Sequence, residues 1–240
     1  MLGCVPGTSA NKKKVSWWGC WIAFACFCCA AVCFAKQHGI TGVSGLQGGT
    51  CADSCHGDEE APVLVVEGPR AVAAGTVVSW RLAMRPATSR ALGGGVNIAA
   101  TAGELVPEAG LYLDFQELTH VAPARSADAN GDGAVSAADV VENVRSRLTG
   151  MSGNACIAGD ANGDGVLDEA DTQAVAGRIF GGGYALLWEF RWIAPLTSQE
   201  VEFFAAGVAA NCNGTRGGDG VGTIRWEVSV ISAAERLRGW

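Results

Sequence analysis

The stretch that decides the organisation of the chain is a loop pattern that occurs twice, as DANGDGAVSAAD over residues 128–139 and as DANGDGVLDEAD over residues 160–171. Both copies place oxygen-bearing side chains at loop positions 1, 3, 5, 9 and 12 and glycine at position 6. This spacing is typical of a loop that wraps around Ca²⁺, which takes six to eight oxygen ligands. The glycine permits the sharp turn, and position 7 supplies a backbone carbonyl. The candidate ligands of the two predicted Ca²⁺ sites are Asp128, Asn130, Asp132, Ala134, Ser136 and Asp139, and Asp160, Asn162, Asp164, Val166, Asp168 and Asp171.

Each loop leads into a segment whose apolar residues recur at helical spacing. They lie at 140, 141, 144 and 148 after the first loop and at 175, 179 and 180 after the second, and Gly150 and Gly181 fit the helix ends. Both loops end on Asp, where an ordinary EF-hand has Glu, and both carry Asn at position 3. In these respects the pair resembles the type I dockerin repeat, in which one helix follows each EF-hand-like calcium loop. Two surface turns rich in Asp and Gly are the alternative, but turns do not need five donors at fixed offsets.

The composition is acidic and rich in glycine. The 240 residues carry a net charge of −7 and include 34 glycines. An acidic balance provides no electrostatic footprint for nucleic acid, so we expect no nucleic-acid partner. A chain of this length is expected to form one or two domains, and its glycine content favours turns and short strands over long helices.

The N-terminus combines Lys12, Lys13 and Lys14 with an uncharged apolar run over residues 15–35. The run is long enough to span a bilayer as a hydrophobic helix, and it also has the features of a secretory signal peptide cleaved after Ala35. The two interpretations differ in whether the segment stays attached as a membrane anchor. Both place the rest of the chain outside the cytoplasm, in the periplasm, at the cell surface or in the medium.

Four cysteines follow the apolar run, at Cys51, Cys55, Cys156 and Cys212. An even number in an exported protein allows two disulfides, whose pairing the sequence leaves open. Cys51, Cys55 and His56 also form a C-x-x-x-C-H box, one residue longer than the C-x-x-C-H box that attaches haem c. Haem bound at these three residues, a local disulfide and two reduced thiols are the interpretations that remain open.

Short runs rich in β-branched and aromatic residues flank the two calcium loops on both sides. Glycine and proline residues lie at the ends of these runs. Several of the runs alternate large apolar with polar side chains, as half-buried strands do. About seven or eight such strands favour an antiparallel β-sandwich of the immunoglobulin or fibronectin kind, with the Trp and Phe residues in its core. The predicted strands lie at residues 62–67, 75–83, 95–101, 111–118, 186–193, 200–206 and 223–231.

Several of these segments resemble a known family, the reelin-like β-sandwich of bacterial exported proteins called the choice-of-anchor V domain. The matching segments include residues 48–57, 118–120, 188–195 and 201–211. In that family the Thr-His and Trp-x-Phe segments are close in sequence, whereas residues 121–187 separate them here. The resemblance therefore implies a dockerin-like pair inserted in a loop of the sandwich, and it implies no particular activity.

Two of the three histidines, His56 and His120, fall on these family segments. One hypothesis is that both ligate a single haem iron while Cys51 and Cys55 hold the porphyrin. The alternative is that His120 is a strand-end residue with a satisfied hydrogen bond.

The sequence thus predicts a mainly β protein with an N-terminal hydrophobic helix over 1–35, a Gly-rich loop over 36–60, a sandwich over 61–120 and 184–231, and a calcium-binding insert over 121–183. Motifs for a nucleophile elbow, a zinc protease, a phosphate loop or a dinucleotide site are missing from the sequence, so we do not expect an enzyme. Three functions remain open. They are an exported calcium-binding module with a binding or structural role, a dockerin-type module that docks on a cohesin-like or cell-surface partner in a polysaccharide-degrading assembly, and a c-type haem electron-transfer protein.

Overall fold

The computed structural model describes residues 38–53, 56–57, 59–87, 91–149, 159–161 and 166–232. Within them the protein is mainly β, as the sequence predicts. The strands are β1 (Val63–Glu67), β2 (Ala71–Ala73), β3 (Val77–Arg85), β4 (Gly93–Ala100), β5 (Glu104–Pro107), β6 (Leu111–Asp114), β7 (Glu117–His120), β8 (Ala124–Arg125), β9 (Leu186–Ile193), β10 (Gln199–Ala210) and β11 (Gly220–Ile231). The helices of the described part are α1 (Ala137–Thr149) and α2 (Glu169–Phe180).

The hydrophobic segment predicted at the N-terminus, residues 1–35, lies outside the described residues. Among the helices of the described part, none is long and apolar enough to cross a membrane.

The described strands form two sheets. One has four strands in the order β1-β3-β9-β5, and the other has seven, in the order β2-β11-β10-β4-β7-β6 with β8 paired to β4. The described pairings are antiparallel except that of β2 with β11, which is parallel. The expectation of a wholly antiparallel arrangement is therefore wrong at this edge. The chain leaves β1 in one sheet and adds β2 to the edge of the other, where it runs in the direction of β11.

The two sheets pack against each other through large aromatic side chains. The ring of Phe203 on β10 lies 5.5 Å from that of Trp80 on β3 and 5.0 Å from that of Trp192 on β9, and it stacks on Trp226 of β11 at 4.9 Å. All four side chains are buried, which confirms the expectation that strand aromatics form the core. Aromatic side chains bury more apolar area than any others and therefore dominate the stability of such a core.

The Gly-rich segment over residues 38–53 covers the outer face of the seven-stranded sheet. Asn97 of β4 is buried beneath it and accepts the N–H of Val43 at 3.2 Å. Glu117 of β7 is also buried and accepts the hydroxyl of Ser44 at 2.9 Å. The sequence of this segment has no periodicity that would predict its position. Its position on the sheet is set by these hydrogen bonds to side chains of strands far along the chain.

Residues 111–120 form a hairpin, whereas their alternation predicts one strand to residue 118. Strands β6 and β7 pair with each other and are joined by Phe115 and Gln116, at φ 45° and 69°. Two consecutive residues at positive φ are characteristic of a type I′ turn, which usually contains Asn-Gly. Phe-Gln carries no such signal, and the side chain of Phe115 is 86% exposed rather than buried.

Both predicted helices are confirmed, and each begins within the last three residues of its calcium-type loop. They pack beside each other, yet the side chains that α1 buries are the polar Asp139 and Asn143. Val141, Val144 and Leu148 are 67%, 37% and 83% exposed. Most of the predicted apolar stripe of α1 therefore lies on the surface, and of its members only Val140 packs against a core. The helical segment has a small core of its own, formed by Ala127, Val135, Ala161, Val175 and Ala185.

Candidate metal centre

The first calcium-type loop turns back over the carboxylate of Asp128, at loop position 1. One carboxylate oxygen, Oδ1, accepts the N–H groups of Gly131 and Asp132 at 2.8 and 3.1 Å, and Oδ2 accepts that of Gly133 at 2.8 Å. Gly133, at position 6, has φ +89°, a conformation that glycine adopts without strain. The loop therefore has the sharp turn that its sequence pattern predicts.

Asp139, at position 12, closes the same loop from its other end. Its Oδ1 accepts the N–H of Asn130 at 3.1 Å, and its Oδ2 accepts the N–H of Ser136 at 2.7 Å. Asp139 is 0% exposed and Asp128 is 6% exposed. Buried carboxylates are normally paired or bound to metal, and this burial distinguishes the loop from a simple surface turn.

The carboxylates of the first loop are close enough to influence one another. Burial raises the pKa of Asp128, and the negative charges of Asp139 and Asp132 raise it further, while hydrogen bonds from Gly133 and Gly131 lower it. Like charges in one buried place destabilise each other, and a divalent cation would relieve the repulsion.

The end of the second loop, which the structure describes, repeats two hydrogen bonds of the first loop. Asp160 at position 1 and Asp171 at position 12 are both buried. The Oδ2 atom of Asp171 accepts the N–H of Asp168 at 2.9 Å, and Asp168 caps α2 by accepting the N–H of Ala170 at 2.7 Å. The corresponding residues of the first loop make the same two bonds. This shared pattern indicates that the two loops are structural repeats.

The second loop differs in having a protein cation near its first carboxylate. The Nε atom of Arg125, on β8, lies 3.9 Å from Oδ2 of Asp160. A guanidinium at this distance offsets part of the carboxylate charge. We therefore expect the second loop to attract Ca²⁺ less strongly than the first.

The remaining predicted ligands are only partly described. Asn162 and Asp164 lie outside the described residues, and Val166 can contribute only its backbone carbonyl. Within the described residues, no group of three or more His, Cys, Asp or Glu is placed to hold a metal ion. The donor set of the first loop, however, also includes the amide of Asn130 and the carbonyl of Ala134, which are hard oxygen ligands of the kind Ca²⁺ takes. The two calcium sites remain a prediction from the loop pattern and the burial of its carboxylates.

The Cys-His box brings His56 against a carboxylate that the sequence does not mark as functional. The Nδ1 atom of His56 lies 2.8 Å from Oδ2 of Asp219, which is buried and whose Oδ1 accepts the N–H of Asn211 at 3.0 Å. The backbone N–H of His56 donates to the backbone carbonyl of Cys51 at 3.0 Å. Cys55 lies outside the described residues. Because the Asp219 carboxylate bonds Nδ1 of His56, Nε2 is the ring nitrogen that could ligate a haem iron. A Soret band that survives acid–acetone extraction is the test of the haem prediction.

His120 is the last residue of β7, and its ring packs on the backbone of β4. A Cβ atom on Gly95 would lie 2.3 Å from its Cε1. Its Nδ1 lies 3.1 Å from the backbone nitrogen of Val96 and 3.3 Å from its carbonyl oxygen, and bonds one or the other according to the tautomer. Burial lowers the pKa of His120, a hydrogen bond with the Val96 carbonyl opposes this, and the charge of His38 lowers it further. His120 therefore ends a strand and has a hydrogen-bond partner, as the alternative interpretation expects. Its role as an iron ligand stays a prediction.

One of the expected disulfides is present at Cys212, which is disulfide-bonded. Cys55 and Cys156 lie outside the described residues, so the pairing stays open.

Comparison with family models, with curated proteins and with solved structures finds no match to this chain. The resemblances to the choice-of-anchor V and dockerin families therefore remain predictions that rest on the sequence segments named above.

Proposed function

We propose that this protein is an exported, non-catalytic binding or structural module in which Ca²⁺ folds a dockerin-like helical insert carried by a β-sandwich of the immunoglobulin or fibronectin kind. The observation that carries the proposal is the burial of the first and last aspartates of both loops, Asp128, Asp139, Asp160 and Asp171. Buried carboxylates in a segment with little apolar core favour a bound cation, because the ion's binding free energy then becomes folding free energy.

Each ion would be held by the side chains at loop positions 1, 3, 5 and 12, by the carbonyl at position 7 and, directly or through water, by the side chain at position 9. When bound, Ca²⁺ supplies positive charge and no chemistry. The chain's own part is to orient the donors, through the hydrogen bonds that Asp128 and Asp139 accept from the loop backbone.

Export is supported by two features of different kinds. The lysines and apolar run over residues 12–35 have the pattern of an export signal or membrane anchor. The disulfide at Cys212 is typical of an oxidising compartment. Attachment to a membrane through residues 15–35 and release after cleavage are both compatible with the proposed function.

The proposal is tested by calorimetric titration of the full chain with Ca²⁺. The double variant Asp128→Ala, Asp160→Ala is expected to lose the binding heat, because each substitution removes the carboxylate around which its loop turns. Hydrogen exchange in a chelator should show loss of protection in α1 and α2, with β10 and β11 still protected. Glu104→Ala, which removes an exposed acid from β5, is the matched control and should bind normally. Calcium heat that persists in the double variant would show that the ligand assignment is wrong.

A second candidate function, docking on a cohesin-like or cell-surface partner, is favoured by the surface of α1. Val141, Val144 and Leu148 are exposed and lie on one face of the helix at i, i+3 and i+7. Because α1 begins inside the first loop, its presentation would depend on calcium. A polysaccharide-handling surface assembly is the setting that the dockerin resemblance implies.

Docking is tested by incubating the full chain with the extracellular proteins of its source, with and without Ca²⁺. A partner that binds the wild-type chain in Ca²⁺ should not bind the double variant Val141→Glu, Leu148→Glu. It should be retained by Leu196→Glu, which changes an equally exposed leucine between β9 and β10. Retention by all variants would exclude the α1 face as the docking surface.

A further inference from the structure

A cavity of about 470 Å³ lies between α2 and the outer face of the four-stranded sheet. Arg81 of β3 and Leu187 and Glu189 of β9 line the sheet side, and Gly177 and Arg178 line the helix side. This volume falls within the roughly 300–1,000 Å³ typical of small-molecule sites. None of the predicted side-chain ligands of calcium lines the cavity among the described residues, although Ala161 of the second loop does.

The acidic groups of the cavity already have cationic partners. The Nε atom of Arg81 lies 2.9 Å from Oε1 of Glu189, and Arg191 pairs with Glu108. Arg178 differs, because its Nη1 atom is buried and has no hydrogen-bond partner within the described residues. Burial lowers the pKa of Arg178, with the charge of Glu189 opposing the shift. A buried donor without a protein acceptor takes a water molecule or a ligand group as its partner.

Small residues of α2 line the same cavity as Arg178. A Cβ atom on Gly177 would meet nothing within 4 Å, so no neighbour requires glycine there. Glycine inside a helix costs about 1 kcal/mol relative to alanine. Ala174, one turn earlier, also lines the cavity. The helix therefore accepts a small loss of stability at the position that leaves the cavity open.

We propose that this cavity binds a small ligand with one carboxylate and several hydroxyl groups, of the class of sugar acids. The planar fork of Arg178 matches a carboxylate through two parallel hydrogen bonds. Glu108 and Glu189 retain oxygen lone pairs beyond their ion pairs and can accept ligand hydroxyls. Leu187 and the Cα methylene of Gly177 offer apolar surface to the face of a sugar ring. The proposal goes beyond calcium binding and stands on the contact of α2 with the sheet.

The test is calorimetric titration of the full chain in Ca²⁺ buffer with three matched probes: galacturonate, galactose and galactose 6-phosphate. Galacturonate should bind at least about 10-fold more tightly than galactose, since a charge-assisted pair is lost with the neutral sugar. It should also bind more tightly than the phosphate ester, which presents another oxyanion. Stronger binding of the phosphate ester would overturn the carboxylate assignment, and absence of binding by galacturonate would overturn the site.

Three variants locate the binding. Arg178→Gln should weaken galacturonate at least about 10-fold and leave galactose unchanged. Gly177→Leu should block both sugars by filling the cavity, without removing a charge. Arg145→Gln, which removes an exposed arginine from α1, should change nothing. Galacturonate binding that survives Gly177→Leu would overturn the proposal. The cavity rests on the proposed function in one respect, since α2 forms one of its walls and Ca²⁺ is proposed to fold that helix. Loss of sugar binding with the calcium heat retained would therefore count against the cavity alone, whereas loss of the calcium heat would count against the proposed calcium sites.

Discussion

The two hydrophobic cores of this protein differ in size and in chemistry. The core between the sheets contains Trp80, Trp192, Phe203 and Trp226, together with many aliphatic strand residues. The core of the helical segment, as far as the structure describes it, is built from alanines and valines and is bordered by buried carboxylates and Asn143. Because stabilisation scales with buried apolar area, the sheets can fold on burial alone, whereas the helical segment depends on how its polar groups are satisfied.

The sharpest test of this difference is to remove the central aromatic ring of the sheet core. Phe203→Ala is expected to lower the free energy of unfolding by about 3–5 kcal/mol, because it deletes contacts with Trp80, Trp192 and Trp226 and leaves a cavity. Urea denaturation followed by tryptophan fluorescence measures the loss. Phe204→Ala is the matched control, since this neighbour is only partly buried and lies beside Arg225. Equal losses in the two variants would show that the sheets do not depend on this core.

A smaller effect is expected from the polar core of the helical segment. Asn143 donates to the carbonyl of Gly159 at 2.7 Å, and its Oδ1 accepts the hydroxyl of Thr172 at 2.6 Å. Asn143→Ala leaves both partners unsatisfied and should cost about 1–3 kcal/mol, confined to α1 and α2. Hydrogen exchange resolves this by region. If Asn143→Leu restored full protection, apolar burial rather than polar satisfaction would hold the helices together.

The smallest expected effect is a pH dependence of opposite sign in the two regions. The folded pKa of His120 is lowered from 6.5, so the sheets should lose stability as pH falls from 6.5 through the lowered value, where the unfolded chain binds the extra proton. The folded pKa of Asp128 is raised from 3.8. The calcium-free helical segment should therefore gain stability as pH falls through that raised value, with the gain complete below 3.8.

Two variants isolate these titrations. His120→Gln should remove the acid sensitivity of β4 and β7, and Asp128→Asn should remove the acid stabilisation of α1, each followed by hydrogen exchange of the calcium-free chain. A parallel response of both regions to pH in the wild-type chain would show that the two groups do not act locally.

Much of the helical segment was predictable because its signals are local. The loop donors, the glycine turns and the helix starts all lie within a few residues of one another, and the structure places Asp128 and Asp139 at the two ends of one loop as their spacing predicts. The outward orientation of Val141 and Leu148 was not predictable. It depends on what packs against the other face of α1, which periodicity does not contain.

The sheets were predictable as strands but not as an arrangement. Alternation identified β9, β10 and β11, because one face of each strand meets the core. The short strands β2, β5 and β8 carry too few residues to show a pattern.

By itself, the sequence determined the donor spacing of both loops, the two helices and the mainly β character, because each of these follows from residues close together in the chain. Tertiary structure decided which strands are neighbours, how residues 38–53 cover the outer sheet face, and why Asp219 lies on His56. These depend on contacts between residues far apart in sequence, such as the bond between His56 and Asp219 across 163 positions. Their formation requires the closure of long loops that only a completed core can stabilise.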